Sequence, residues 1–187
     1  MKPLRALLAG LLLLLLAWPV QAQSQAEKRT LAERMLEALR SAPTEEISSR
    51  VEERLLQTWL EFGTPAVTLL MSRGLRDLSA GSHDDAISVF SDAILLDPTL
   101  AEAFHQRAIA KYQAGDTAGA VRDIEETLKR EPRNFAAFRT LTEIAAARED
   151  WKGAYAAWEK LLAIAPKTRG GESRLKELKR KAFGEDA

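Results

Sequence analysis

The sequence predicts an all-α protein organised around an internal repeat that runs over residues 65–166. Four sets of residues recur in phase every 34 positions in this region. They are Ala86, Ala120 and Ala154; Phe90, Ile124 and Trp158; Ile94, Leu128 and Leu162; and Pro98, Pro132 and Pro166. Four sets in phase are hard to obtain by chance, and a period of about 20–50 residues is typical of stacked repeat architectures. The segments before the repeat carry apolar residues at helical spacing, which completes the all-α prediction.

Each copy of the repeat carries further shared residues ahead of its alanine. A large apolar residue is followed four positions later by a small one, in the pairs Leu70 and Gly74, Phe104 and Ala108, and Phe138 and Thr142. Gly81 and Gly115 then mark a turn, and Glu149 takes their place in the third copy. This arrangement resembles the tetratricopeptide repeat (TPR) family. The resemblance implies antiparallel helix pairs stacked into a right-handed α-solenoid, with repeats at about 67–100, 101–134 and 135–168.

Residues 1–22 are typical of an export signal. Lys2 and Arg5 precede a short leucine-rich apolar run, and Val20 and Ala22 place small residues where a signal peptidase cleaves. The run is shorter than the stretch of about 20 apolar residues that a membrane-spanning helix needs. We therefore expect cleavage after Ala22 and a periplasmic protein without a stable membrane anchor. An uncleaved anchor is the alternative.

Residues 23–64 are predicted to form a helical hairpin. Its first helix places Leu31, Met35 and Leu39 on one face, and Pro43 separates it from the second. The second helix is predicted to bury one stripe of residues, namely Ile47, Val51, Leu55, Trp59 and Phe62. The hairpin departs from the repeat pattern, because Glu52 stands 34 positions before Ala86. We interpret it as a degenerate repeat or a cap that covers the apolar end of the stack, which solenoids need for solubility; a dimerisation hairpin is the alternative.

Within each repeat, the recurring alanine is predicted to lie where two helices cross closely. The prolines follow the second helix, at the start of the turn into the next unit, where a missing amide costs little. After Pro166, residues 169–187 are predicted to form a basic C-terminal helix and tail. Leu175, Leu178 and Phe183 lie on or near one face of that helix. In the family that the chain resembles, such a helix packs on the last pair and shields it.

The composition narrows the function classes. The chain has 27 basic and 27 acidic residues, so no charge bias indicates nucleic acid. Cysteine is absent, which removes disulfides and thiolate metal sites, and His83 and His105 are the two histidines. No known catalytic, phosphate-binding or metal-binding motif occurs in the sequence. We therefore expect no enzymatic activity, no cofactor and no metal site.

The TPR resemblance also implies where a partner would bind. In this family the first helix of each pair lines a concave groove that holds an extended peptide or a partner helix. Alignment of the copies gives the groove candidates as Met71, His105, Tyr112, Gln113, Arg139 and Glu143, with Leu75, Ser79, Glu102, Ile109 and Ala147 beside them. We expect Leu75 and Ile109 to pack between first helices, and Tyr112 and Arg139 to contribute most to binding.

One subtype of the family binds acidic C-terminal tails through a Lys/Asn carboxylate clamp. The corresponding positions here are Met71, Leu75, Gln106, Ala136 and Thr140, so the clamp is missing. The sequence thus predicts a non-enzymatic periplasmic scaffold that holds a protein or peptide with an apolar anchor and polar groups. The alternative is a structural, self-associating protein of envelope assembly that acts through the N-terminal hairpin, and a homo-oligomer fits either function.

Export with cleavage between Ala22 and Gln23 is directly testable. Protein recovered from a periplasmic fraction is expected to have the intact mass of residues 23–187, because the Val20 and Ala22 pair satisfies the peptidase. A species that still carries residues 1–22 and sediments with membranes would contradict the prediction.

Overall fold

The computed structural model describes residues 25–184 and is all-α over that range, which confirms the predicted fold class. It contains nine helices. Helix α1 covers residues 25–40. The others are α2 (Glu45–Leu60), α3 (Pro65–Ser79), α4 (His83–Leu96), α5 (Ala101–Gln113), α6 (Thr117–Arg130), α7 (Phe135–Ala147), α8 (Trp151–Ile164) and α9 (Gly171–Phe183). The predicted export signal lies outside the described residues. No helix between residues 25 and 184 has the length and apolar character required to cross a membrane.

Helices α3 to α8 form three stacked pairs. Each first helix packs on its own second helix, and that second helix packs on the first helix of the next pair. Short polar side chains begin several helices: Thr64, Asp116, Asn134 and Asp150 each accept a hydrogen bond from a backbone amide three positions on. Since the inter-pair contacts repeat in the same order, the pairs form a solenoid.

The turn within each pair needs a residue with positive φ. Gly81 and Gly115 have φ angles of 76° and 90°, which glycine adopts without steric cost. In the third pair the turn residue is Glu149, with φ of 58°. A non-glycine residue in the left-handed region costs about 1–2 kcal/mol, so the third turn keeps the geometry at some expense of stability.

The recurring alanines lie in the interior, as a close helix crossing requires. Ala86, Ala120 and Ala154 are completely buried. A similar constraint acts on the first helix, because a Cβ atom on Gly74 would lie 2.5 Å from the ring of Phe90. The small and large residues of the repeat are therefore complementary parts of one packing contact.

The N-terminal hairpin does not extend the stack as a preceding repeat. Helix α2 runs along the edge of the solenoid where each second helix turns into the next first helix. Its start meets Gly170, whose amide donates to Glu45, its middle meets α7, and its end passes Leu100. Helix α1 packs outside α2, with Lys28 donating to the carbonyl of Glu61. The hairpin thus touches all three junctions between a second helix and the helix that follows it.

The buried faces of the hairpin differ from the prediction. Ala32, Leu36, Leu39, Leu55 and Trp59 form one core cluster with residues of α7, α8 and α9. Leu31 and Ile47, which the apolar spacing placed on the buried faces, are 38% and 43% exposed. Each helix is rotated relative to the predicted stripe, because it packs across helix ends and loops and not along a parallel neighbour.

Helix α9 closes the C-terminal end of the stack, as predicted. Leu178 is fully buried against the last pair, and the indole N–H of Trp158 donates to the carbonyl of Gly171 at 2.9 Å. Lys181 lies 4.1 Å from the ring centroid of Trp151, and Phe183 packs edge-on against Tyr155. The last pair is therefore covered by apolar and cation–π contacts.

A pair of substitutions tests the repeat register. Ala120→Leu is expected to lower the free energy of unfolding by about 1–3 kcal/mol, because three extra carbons must enter a closed helix crossing. Ala118→Leu, two positions earlier on the exposed surface, is the matched control and should stay within about 0.5 kcal/mol. Chemical denaturation of both variants measures the difference, and equal stabilities would refute the register.

Candidate functional site

The first helices α3, α5 and α7 lie side by side and carry the groove positions. Helix α5 contacts α3 on one side and α7 on the other. Residues 34 positions apart, such as Ile109 and Glu143, therefore occupy equivalent places on neighbouring helices. The hairpin divides this surface into two parts. It packs on the N-terminal halves of α5 and α7 and leaves their C-terminal halves uncovered.

A buried carboxylate joins the hairpin to the repeats. Glu52 of α2 is 8% exposed and accepts hydrogen bonds from Arg139 at 2.7 Å, from Thr168 at 2.7 Å and from Ser48 at 3.3 Å. The guanidinium of Arg139 also lies 5.5 Å from the ring centroid of Phe135. A buried charge costs little only when it is paired and fully hydrogen-bonded, and this one meets that condition. Glu52 is therefore a buried residue that pairs with Arg139. This role explains why glutamate and not alanine stands 34 positions before Ala86.

A second ion pair fastens α1. Arg133, in the loop before α7, donates to both carboxylate oxygens of Glu33 at 2.9 and 2.7 Å. The hydrogen bonds from Arg133 hold the pKa of Glu33 below its usual value near 4.5. Because the pKa of Glu33 is lower in the folded protein, the contact contributes its full stabilisation to the docked hairpin above the usual pKa near 4.5. This stabilisation is lost as the pH falls through the lowered pKa. Since Glu33 is more than half exposed, the contribution is at the small end for an ion pair.

An aromatic contact completes the hairpin interface. The rings of Trp59 and Phe135 lie 5.7 Å apart between centroids, and both side chains are buried. Phe135 is the first residue of α7 and Ala136, beside it, is 7% exposed. Phe135 and Ala136, the latter at a position of the missing clamp, are thus part of the molecular core.

His105 and Met71 lie in the interior and do not form an exposed binding surface. His105 is 3% exposed, and Thr140, whose hydroxyl donates to the carbonyl of Ala136, accepts from its Nε2 at 3.0 Å. Its Nδ1 faces Glu102 at 3.2 Å. Met71 is 1% exposed within an apolar cluster between α3, α4 and α5. Both side chains therefore hold the first helices together.

Arg139 is not available to a partner in this structure either. Sequence reasoning selected it because arginine often dominates binding surfaces, but its guanidinium is engaged by Glu52. Changing it would remove the charge partner of Glu52 and so disturb the docking of the hairpin. Tyr112 is half-buried and packs on the apolar cluster between the second and third repeats.

The uncovered half of the groove keeps the remaining candidates. Gln113, Glu143, Ser79 and Ala147 are exposed, and Leu75, Ile109 and Tyr112 are half-buried. The apolar residues lie at the centre, and the carboxylate of Glu143 lies beside them on α7. We call this surface the open groove. It presents an apolar contact area and one negative charge, and no group of three or more potential metal ligands occurs among residues 25–184.

The geometry defines an α-solenoid of helix-turn-helix repeats with a partly covered concave surface. No protein-family model matches the chain. It is 27% identical over 161 residues to a TPR repeat-containing protein of Rhizobium etli, covering 86% of this chain and 78% of that protein. These findings, with the solved structures below, confirm the TPR resemblance: the chain is similar to tetratricopeptide-repeat proteins and has their fold.

Solved TPR structures have the same fold. The Sgt2 TPR domain from Aspergillus fumigatus aligns with a TM-score of 0.58 and 25% identity, over 63% of this chain and 80% of that one. MamA aligns with a TM-score of 0.59 and 18% identity, over 74% and 83%. The first TPR of Spaghetti (RPAP3), bound to the HSP90 peptide SRMEEVD, aligns with 0.57 and 18%, over 61% and 90%. Proteins with this fold generally act as scaffolds for protein–protein interaction.

Glu52 offers a direct test of the hairpin contact. Glu52→Ala is expected to lower the free energy of unfolding by about 2–3 kcal/mol, because Arg139 loses its counter-charge and Thr168 its acceptor in a largely buried site. Glu53→Ala, at the exposed neighbouring position, is the matched control and should stay within about 0.5 kcal/mol. Urea denaturation measures both variants; if the two lose the same stability, Glu52 does not join the hairpin to the repeats.

Proposed function

We propose that the protein is a non-catalytic periplasmic scaffold that holds a protein or peptide in the open groove. One observation carries the proposal: equivalent positions on three consecutive first helices stay uncovered although the hairpin packs on the N-terminal halves of α5 and α7. The half-buried Leu75, Ile109 and Tyr112 supply apolar contact area there. A concave apolar strip on parallel helices suits an extended segment or a helix of a partner.

The charge of the open groove narrows the kind of partner. Glu143 is exposed, and the cation that sequence reasoning placed in the groove, Arg139, is engaged by Glu52. A segment with an apolar anchor and a basic side chain near Glu143 therefore fits better than an acidic tail. The missing carboxylate clamp supports the same conclusion. A structural neighbour holds a peptide, which supports peptide binding as a use of this fold.

The periplasmic location rests on the leucine-rich start and the Val20 and Ala22 pair. The alternative function is a structural one, in which the hairpin drives self-association. Most apolar residues of the hairpin are buried inside the molecule, and Leu31 and Ile47 are its large apolar side chains that remain exposed. A surface of two separate side chains is small for a stable interface, so partner binding in the open groove is the better-supported function.

A crosslinking experiment tests the open groove. A photo-crosslinking amino acid at Gln113 is expected to capture a defined protein in living cells, whereas the same group at Glu125, exposed on α6, should not capture it. Glu143→Lys in the first variant should abolish the product because it repels the partner's basic group. Thermal unfolding should be unchanged, since Glu143 is exposed.

Controls separate this proposal from the alternative. Glu125→Lys makes the same charge change on α6, outside the open groove. It should not affect capture of the partner by the crosslinker at Gln113. Undiminished capture in Glu143→Lys would refute the open groove. Capture that is lost only in Leu31→Glu or Ile47→Glu would move the site to the hairpin.

A further inference from the structure

The N-terminal end of the repeat stack is uncovered, and the repeat register shows which residues this affects. Leu69 is 68% exposed, whereas Ala103 and Ala137, its counterparts 34 and 68 positions later, are completely buried. Arg76 is exposed, and its counterparts Ala110 and Ile144 are buried. In the second and third repeats the preceding pair covers these positions. The first repeat therefore presents the same kind of surface, and none of residues 25–184 covers it.

The second helix of the first repeat extends this surface. Leu96 is 60% exposed. Its counterpart Arg130 lies 3.9 Å from the ring centroid of Phe104 and donates to the carbonyl of Pro98 in the loop before its own pair. By the same register, Leu96 lies over Leu70 and faces the place of a missing preceding pair. We call the surface formed by Leu69, Leu70, Arg73, Arg76 and Leu96 the open end.

The hairpin leaves the open end uncovered. Helix α2 packs on α5 and α7, and the hairpin contacts the cluster at the start of α3 through Leu60, Phe62 and Gly63, away from Leu69 and Leu96. Exposed apolar residues at the end of a solenoid are unfavourable, and terminal repeats normally carry a polar outer face or a cap. Leu69 and Leu96 together with a half-buried Leu70 are the opposite of such a face.

We propose that a second copy of this chain covers the open end, and that two molecules pack α3 against α3 about a two-fold axis. Arg73 and Asp77 lie on α3 with Nε and Oδ2 3.7 Å apart, too far for a hydrogen bond. Both signs of charge beside an apolar centre make the surface self-complementary. In a two-fold pairing, Arg73 of each copy can reach the Asp77 carboxylate of the other.

The other end of the stack excludes an open chain of molecules. Helix α9 closes it, and its exposed face carries Lys176, Lys179 and Arg180. A head-to-tail contact would place Leu69 and Leu96 against this charged face, whereas a two-fold contact places them against the apolar side chains of a second open end. The association therefore closes at two copies. The balanced charge of the whole chain adds no long-range repulsion between them.

Solution mass tests the proposal on the mature chain. The wild-type protein is expected to have twice the monomer mass by sedimentation equilibrium, and Leu69→Glu is expected to halve it, because the substitution buries two carboxylates at the apolar centre. Circular dichroism should be unchanged, since Leu69 is mostly exposed. If Leu69→Glu impairs folding, Leu96→Glu serves as the second variant.

Exchanging the charges of Arg73 and Asp77 distinguishes specific pairing of two copies from non-specific association. Arg73→Asp should halve the mass, and the double variant Arg73→Asp with Asp77→Arg should restore it. Leu31→Glu and Ile47→Glu, on the hairpin, are the matched controls and should keep the dimer. A monomeric wild-type protein, or a dimer lost only in the hairpin variants, would overturn the proposal.

Discussion

The close approach of the two helices in each pair is the constraint on which the rest of the structure depends. Ala86, Ala120 and Ala154 are completely buried, and Gly74 has no room for a Cβ atom against Phe90. Small residues at these points let the backbones approach, and the ring of Phe90 packs directly against Gly74 of the same pair. Interiors are close-packed, so this contact has little tolerance for added atoms. Once it is fixed, the stack and the row of first helices follow.

The hairpin changes what that row of first helices can offer. Repeat arrays normally contain contacts between neighbours only, and the concave surface is free along its length. Here Glu52, Glu33 and Trp59 reach α7, the loop before it and the loop after α8, and both carboxylates are paired with arginines. Part of the surface is used for internal stability. The part that remains carries half-buried apolar residues and the exposed Glu143. On the proposed function, this favours a partner segment that is apolar and carries a basic group.

The sequence predicted the parts of this protein that depend on local spacing. The 34-residue repeat pattern predicts the repeats, the turn positions, the buried alanines and the covering role of α9. The docking site of the hairpin could not be predicted in this way, because an apolar stripe shows that a helix is buried but not which surface covers it. Ile47 illustrates this, since it lies in the predicted stripe and is nearly half exposed. Arg139 and His105 were placed in the groove by alignment of the copies, but their partners Glu52 and Thr140 are 87 and 35 positions away. One feature of the sequence did indicate the docking site of the hairpin. Glu52 is a charged residue at the position that holds alanine in the repeats, which a helix that only covers the end of the stack would not need.

The contacts of Glu52 and Glu33 also bear on the order in which the chain becomes structured. Thr168 is 116 positions from Glu52, and Arg133 is 100 positions from Glu33. Neighbouring repeats can pair as soon as two of them exist, because their contacts are short-range, whereas contacts that close long loops form slowly. Helices α1 and α2 therefore lack part of their docking surface until the last pair and the loop after it are complete. The hairpin thus reaches its final contacts later than the repeats reach theirs.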